Sequence, residues 1–276
     1  MKTALLQITS SDDPAENLEI VRAMMADAAA QGARFILTPE VTNCVSTSTT
    51  RQREVLQHEE DDISLAGLRE QAAALGVWLL IGSLGIKTHD ADGRFANRSF
   101  MINRQGEIVA RYDKIHMFDV QVTESETFRE SANYRPGTRA VVPDTDFGKV
   151  GMTICYDLRF PHLHSALARA GARILTVPAA FSPVTGAAHW ESLLRARAIE
   201  NGCWVIAPAQ TGEHPKTRGK TRYTYGHSMV VAPWGEVLID AGTETGIHFF
   251  DLDDSSVTEA RRRVPSLTHV RPFDGP

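Results

Sequence analysis

The chain has 276 residues, of which 42% are hydrophobic, which is enough for one large α/β domain or two small ones with a substantial core. Acidic residues outnumber basic ones by 34 to 29, so the net charge is −5, and the lack of a basic block gives no electrostatic reason to expect a nucleic acid or membrane partner. No stretch approaches the roughly 20 apolar residues that span a bilayer. The three cysteines, at 44, 155 and 203, form neither a disulfide framework nor a metal motif. We therefore expect a protein of the reducing cytoplasm.

The first half of the chain alternates short β-rich runs with helical patterns. The predicted strands cover residues 3–9, 34–37, 77–83, 97–103 and 107–112, and the predicted helices cover residues 14–31 and 65–75. Asp12 or Asp13 is placed to cap the first helix, and Pro14 lies in its first turn. The last two strands are joined by a short turn that contains Gly106, so we predict a hairpin.

The same alternation recurs in the second half of the chain. It predicts strands at residues 149–155, 173–178 and 204–208, helices at 161–170 and 189–201, and a hairpin at 226–232 and 237–241. Two halves that each combine β-α-β crossovers with a hairpin predict an α/β protein in which two mixed sheets pack face to face with helices outside. No low-complexity linker divides residues 1–276, so we predict a single domain. Residues 113–147 show little regular pattern, as functional or disordered segments do.

Cys155 has the sequence context of a nucleophile. It ends an apolar predicted strand, and a predicted helix begins at Pro161. Such a strand-to-helix elbow exposes a side chain at the carboxyl end of a sheet, beside backbone N–H groups that can stabilise an oxyanion. The alternative is a buried, inert strand cysteine, which is the usual state of a free cysteine.

Glu40 and Lys114 also follow predicted strands. Glu40 comes after Pro39, where a carboxylate can project into a cleft, although an ordinary solvated glutamate is the alternative. Lys114 lies among interleaved ionisable and aromatic residues, and its alternative is a surface lysine paired with Asp113. Together with Cys155, they supply a base, a cation and a nucleophile at three strand ends.

Three segments resemble the signatures of the nitrilase (carbon–nitrogen hydrolase) superfamily, in the family's order and across nearly the whole chain. They are Thr38-Pro39-Glu40, Asp113-Lys114-Ile115-His116 and GMTICYDLRFP at residues 151–161. The resemblance implies a four-layer α-β-β-α sandwich that pairs into a homodimer or a higher homo-oligomer. It also implies hydrolysis of a small-molecule amide by a Glu-Lys-Cys triad through a thioester, without a metal or another cofactor.

In the implied mechanism, Glu40 removes the Cys155 proton as the sulfur attacks an amide carbonyl. Lys114 and the Tyr156 backbone N–H stabilise the tetrahedral oxyanion. The family has a fourth functional position, a glutamate between the lysine and the cysteine. Glu130 matches it and would orient the substrate or the lysine, with the glutamates at 124 and 126 as neighbouring alternatives.

Segments of the second half resemble one branch of the family. Residues 188–201 are similar to ω-amidases and deaminated-glutathione amidases, and YGHSMVV at residues 225–231 favours the latter. The expected substrate is a carboxylate-bearing amide, with deaminated glutathione first and α-ketoglutaramate second. Arg159 is predicted to bind that carboxylate, unless it pairs with Asp157 or Arg195 takes its place. An N-carbamoyl amidohydrolase, a nitrile hydrolase and a non-catalytic scaffold on the same fold are the alternatives.

Several other polar residues are predicted to have no catalytic role. His162 and His164 lie two residues apart at a helix start and do not share a face, which argues against a metal site. Cys44 and Cys203 are predicted to be structural, although Cys44 follows Glu40 closely enough to line a pocket. The basic run KTRGKTR at residues 216–222 is predicted to be a solvated loop.

Overall fold

The computed structural model describes residues 1–124 and 127–275. The α-helices of this part of the chain are α1 (Pro14–Ala30), α2 (Thr49–Val55), α3 (Ile63–Leu75), α4 (Pro161–Arg169), α5 (Pro183–Asn201) and α6 (Asp254–Arg263). Short 3₁₀ helices lie at Glu130–Ala132, Cys155–Arg159 and Ser266–Thr268. None of the helices in the described ranges has the length and apolarity that crossing a membrane requires.

The strands of the described ranges form two large sheets and two small ones. In chain order they are β1 (Lys2–Gln7), β2 (Phe35–Leu37), β3 (Trp78–Lys87), β4 (Phe95–Ile102), β5 (Ile108–Asp113), β6 (Asp119–Gln121), β7 (Thr127–Arg129), β8 (Asp144–Thr145), β9 (Gly148–Met152), β10 (Ile174–Thr176), β11 (Trp204–Ala207), β12 (Thr211–Glu213), β13 (Tyr223–Tyr225), β14 (Met229–Val231), β15 (Val237–Asp240) and β16 (Gly246–Asp251). The two large sheets have the orders β16-β1-β2-β3-β4-β5 and β15-β14-β11-β10-β9-β8. Both are mixed, because parallel strands β1–β3 and β9–β11 form their centres and antiparallel strands flank them.

Side chains of the first sheet alternate between two cores. Leu5 and Leu37 pack with side chains of the second sheet such as Val150. Leu6 and Ile36 point the other way and pack with apolar residues of α1 and α3. Because α4 and α5 pack on the second sheet, the layers run helix, sheet, sheet, helix. The predicted four-layer α-β-β-α sandwich is confirmed.

Several predicted boundaries differ from the structure. Strand β9 ends at Met152 and Cys155 begins a 3₁₀ helix, whereas the sequence predicted that the strand continues to Cys155. Helix α5 begins at Pro183, six residues before the predicted start, with Ser182 at its N-cap. Proline at the first helical position costs no hydrogen bond, because that N–H has no partner within the helix. Residues 113–147 contain the β6–β7 hairpin, and neither α2 nor β16 was predicted.

Strand β3 is longer than predicted and passes closely under the segment that carries Glu40. It continues to Lys87, with a register shift against β4 between Ile81 and Leu84. At Gly82, a Cβ atom would lie 2.0 Å from the Thr38 carbonyl oxygen. Because glycine has no Cβ atom, the Thr38 carbonyl, directly after β2, can pack against Gly82 of β3.

Candidate active site

A cleft of about 740 Å³ lies where β2, β5 and β9 leave the sheets. Carboxyl ends of parallel strands such as β2 and β9 commonly form the crevices in which α/β proteins bind ligands. The cleft lining includes all four residues that the sequence predicts to be catalytic, Glu40, Lys114, Glu130 and Cys155.

Glu40 is only 4% exposed, and both oxygens of its carboxylate accept hydrogen bonds. Oε1 accepts from Lys114 Nζ at 2.8 Å, and Oε2 accepts from the Ala180 backbone N–H at 2.8 Å. Burial raises the pKa of Glu40, but the charge and the hydrogen bond of Lys114 outweigh it and hold the pKa below its ordinary value. The carboxylate is therefore ionised at neutral pH and available as a proton acceptor.

Lys114 follows β5 directly and is buried between two carboxylates. Its Nζ lies 2.8 Å from Glu40 Oε1 and 2.9 Å from each carboxylate oxygen of Glu130. Burial lowers the pKa of Lys114, but the negative charges of Glu130 and Glu40 raise it by more. The pKa of Lys114 therefore lies well above its ordinary value. Lys114 is thus a fixed cation, and two negative groups face it.

Cys155 occupies a backbone conformation that residues other than glycine seldom adopt, with φ at 48°. Its N–H donates to the Pro178 carbonyl at 2.9 Å, and its thiol lies beside the Glu40 carboxylate. Burial and the negative charge of Glu40 raise the pKa of the thiol well above its ordinary value. The resting thiol therefore keeps its proton, next to a base that can remove it. Tyr156 follows in the first turn of the 3₁₀ helix, where backbone N–H groups have no partner within the helix.

Asp157 organises this elbow through its fully buried carboxylate. It accepts hydrogen bonds from the Ile154 N–H at 2.9 Å, the Tyr112 hydroxyl at 2.6 Å and the His116 N–H at 3.0 Å. Its partners therefore come from the elbow and from the end of β5. The alternative in which Arg159 pairs with Asp157 is wrong.

Glu130 lies in a 3₁₀ helix directly after β7 and joins that segment to the site. Besides Lys114, its carboxylate accepts from the Phe118 backbone N–H at 2.7 Å. Of the alternatives considered from sequence, Glu124 is exposed and outside the described cleft lining, and Glu126 lies outside the described residues. Within the described part of the chain, Glu130 is the glutamate of this segment that reaches the cleft.

Neither arginine considered from sequence belongs to the described lining of the cleft. Arg159 packs against the lining instead, with its guanidinium 5.6 Å from the Phe181 ring centroid and Nη2 3.2 Å from His189 Nδ1. Arg195 donates to the Gly235 carbonyl at 3.0 Å. Besides Lys114, the basic residues of the lining are Arg129, Lys220 and Arg222.

Two parts of the cleft were missed in the sequence. Asn97, on β4, donates from Nδ2 to Glu40 Oε1 at 2.9 Å, and a single asparagine within a predicted strand carries no distinguishing signal. Residues 216–222, predicted to be a solvated loop, are mostly exposed, but residues 220–222 line the cleft. The hydroxyl of Thr47, which also lines the cleft, donates to the Lys220 carbonyl at 2.8 Å. Cys44 lines the cleft, as its position four residues after Glu40 allowed, and burial raises its pKa to about 12.

The histidines considered from sequence do not converge on a metal site. His164 is buried and hydrogen-bonded to a backbone carbonyl, and burial lowers its pKa to about 4, whereas His162 is exposed. Within residues 1–124 and 127–275, one group of possible ligands, His58, Glu60 and His89, has ligand atoms within 4.8 Å of one another. These three residues lie outside the described lining of the cleft.

Similar proteins are known by sequence and by structure. The profile of the family described as carbon-nitrogen hydrolase matches residues 2–262. The chain is 39% identical to the deaminated glutathione amidase of Yersinia enterocolitica, over 97% of this chain and 92% of that protein. It matches the C. elegans NitFhit protein with a TM-score of 0.89 and 35% identity, over 98% of this chain and 65% of that one. It also matches a variant of the amidase from Nesterenkonia sp. AN1, solved with acrylamide added to its active-site cysteine, with a TM-score of 0.75 and 27% identity over 96% and 98% of the two chains. The chain belongs to the carbon–nitrogen hydrolase family.

Proposed function

We propose that the protein is an amidase that cleaves a small carboxylate-bearing amide through a thioester on Cys155. The observation that carries this proposal is the position of the Glu40 carboxylate, which contacts the Lys114 ammonium at 2.8 Å and lies beside the Cys155 thiol in the same cleft. Deaminated glutathione is the first candidate substrate, because a relative named for that activity is 39% identical over nearly the whole chain.

The first half of the reaction forms the thioester. Cys155 Sγ bonds to the amide carbonyl carbon while Glu40 takes the thiol proton. The electron pair of the carbonyl moves to its oxygen, where the Lys114 ammonium and the Tyr156 N–H stabilise the negative charge. Protonated Glu40 then gives the proton to the amide nitrogen. The C–N bond breaks and the amine leaves.

The second half of the reaction releases the acid. Glu40, again ionised, takes a proton from a water molecule as its oxygen attacks the thioester carbonyl. The same donors stabilise the second oxyanion. When the C–S bond breaks, the sulfur recovers the proton from Glu40, and Cys155 returns to the thiol state. Glu130 holds Lys114 in place through both halves of the reaction.

The charge of the cleft supports a substrate that bears a carboxylate. The described lining contains four basic residues and only two acidic ones, Glu40 and Glu130, and Lys114 contacts both of these. The other basic residues of the described lining are Arg129, Lys220 and Arg222, of which Arg222 also donates to the Ala180 carbonyl at 2.9 Å. They give the mouth of the cleft a positive potential that attracts anions. We propose these three, before Arg159, as the residues that attract the carboxylate, because Arg159 is not part of the described lining.

A panel of substrates tests this function by kcat/KM. The panel contains deaminated glutathione, α-ketoglutaramate, neutral aliphatic amides, an N-carbamoyl amino acid and a nitrile. We expect the two keto-amides to be the best substrates, with product acid and amine or ammonia formed in equal amounts. Equal or better turnover of the neutral amides would refute the carboxylate requirement, and hydrolysis of only the carbamoyl compound or the nitrile would assign the cleft to those activities. The Cys155→Ala protein is the control for background hydrolysis.

We also propose that the chain forms a homodimer in a reducing compartment. Exposed apolar side chains of α5 and of the β14–β15 turn, such as Ile199 and Trp234, which are 53% and 42% exposed, support an interface between copies. Cys44, Cys155 and Cys203 are all free and buried, as they would remain in a reducing compartment. Sedimentation equilibrium tests the dimer, and a monomer at micromolar concentration would refute it.

A further inference from the structure

Asn97 lies between the two carboxylates that face Lys114. It is 3% exposed on β4, and its backbone carbonyl accepts from the Lys114 N–H at 3.0 Å. Its side-chain Nδ2 lies 2.9 Å from Glu40 Oε1 and 3.5 Å from Glu130 Oε1. The side-chain amide of Asn97 therefore reaches both carboxylates, and its backbone carbonyl fixes the backbone of Lys114.

The chemistry of these neighbours fixes the orientation of the Asn97 amide. An ionised carboxylate only accepts hydrogen bonds, so the NH₂ group has to face Glu40 and Glu130. This orientation leaves Asn97 Oδ1 buried without a hydrogen-bond partner among the described residues. An unpaired buried acceptor is destabilising, and an apolar side chain of similar size would avoid that cost. Asn97 therefore contributes something other than packing at this position.

The charge balance indicates what Asn97 contributes. Two carboxylates, those of Glu40 and Glu130, contact the single ammonium of Lys114. Among residues 1–124 and 127–275, the titratable groups that interact with Glu40 are Lys114, Cys155 and Tyr134, and Glu130 faces it across Lys114. Asn97 adds a hydrogen-bond donor without a charge. A neutral donor supports the ionised Glu40 carboxylate by a hydrogen bond and places no second positive charge beside Lys114.

We propose that Asn97 is a positioning residue that keeps the Glu40 carboxylate ionised and oriented towards the Cys155 thiol. With Asn97 and Lys114 on Oε1 and the Ala180 N–H on Oε2, the carboxylate has donors on both oxygens and cannot rotate freely. The inference rests on the proposed role of Glu40 as the general base.

Asn97→Leu and Asn97→Ala test the inference, with Ser99→Ala as the matched control. Ser99 is buried on the same strand and the same face, and its hydroxyl bonds to the Ile81 carbonyl at 3.0 Å, without contact to the carboxylates. We expect both Asn97 variants to lower kcat on the order of 10²-fold, as misplacement of a catalytic group does, with a smaller change in KM. We also expect the acid limb of the kcat/KM profile to move to higher pH, because a lost donor disfavours the ionised form of Glu40.

A second readout does not depend on the substrate. The rate at which iodoacetamide alkylates Cys155 is measured across pH, and its acid limb is expected to move upward in both Asn97 variants. If this limb moves while no amide is hydrolysed by the wild-type protein, the proposed function fails and the role of Asn97 stands. If kcat and both acid limbs of the folded Asn97 variants match those of Ser99→Ala, the inference is overturned. The Asn97→Ala variant serves where the leucine variant does not fold, since it removes the donor without adding volume.

Discussion

Replacement of Glu40 by glutamine keeps the shape of the side chain and removes the carboxylate that we propose as the general base. Its carboxylate oxygens accept from Lys114 and Asn97 on Oε1 and from the Ala180 N–H on Oε2. Because every one of these partners is a donor, either orientation of a glutamine amide places its NH₂ group against a donor. We expect Glu40→Gln to lose about 10²–10⁴-fold in turnover, which is typical of a lost general base. The unmade hydrogen bond costs about 1–3 kcal/mol of stability.

Single-turnover acylation and thermal unfolding measure the two effects separately. The acylation rate of Glu40→Gln is compared with that of the wild-type protein at saturating substrate, and Tm is expected to fall by about 2–10 °C for a chain of this size. Acylation within tenfold of the wild-type rate would refute the assignment of Glu40 as the base. An unchanged Tm would refute the argument that all of its partners are donors.

Three further predictions concern the other groups of the proposed triad and the pH dependence. Cys155→Ala should abolish hydrolysis on every substrate while the circular dichroism spectrum is retained, and near wild-type turnover would contradict the nucleophile assignment. Lys114→Ala should lower kcat by about 10²–10³-fold through loss of an oxyanion donor. In the double variant, this loss of activity should not add to that of Cys155→Ala, because the groups act as a unit. A decrease in kcat of less than tenfold would exclude Lys114 from the triad. On the acid side of the pH profile, kcat/KM should fall only below the ordinary glutamate pKa of about 4.3, because the pKa of Glu40 is lowered. On the alkaline side, kcat/KM should fall only above the ordinary thiol pKa of about 8.5, because the pKa values of Cys155 and Lys114 are raised. An acid limb near neutrality would contradict the lowered pKa of Glu40.

Local patterns in the sequence determined most of the fold. Alternation of apolar runs and helical periods predicted both sheets, and Pro14 lies in the first turn of α1 as predicted. The errors occur where tertiary contacts overrule local signals. β3 continues beyond residue 83, where the predicted strand ends, because β4 pairs with it on both sides of a register shift, and β16 forms because β1 offers it an edge. The pairing partner of a strand is a long-range property, and a local window does not contain it.

The candidate site also contains residues that local sequence patterns predicted and residues that only long-range contacts brought there. Glu40, Lys114 and Cys155 were predicted from the sequence because each follows a strand within a motif, and the carboxyl ends of strands converge in this class of fold. Asn97 and the basic residues of the cleft mouth have no such signal, because a strand asparagine and an exposed arginine are ordinary in sequence. Which ionisable groups meet, and so whether a pKa rises or falls, depends on burial and on distances of about 3 Å between residues far apart in the chain. Only the tertiary structure determines those distances, and it placed one lysine between two carboxylates and a neutral thiol beside one of them.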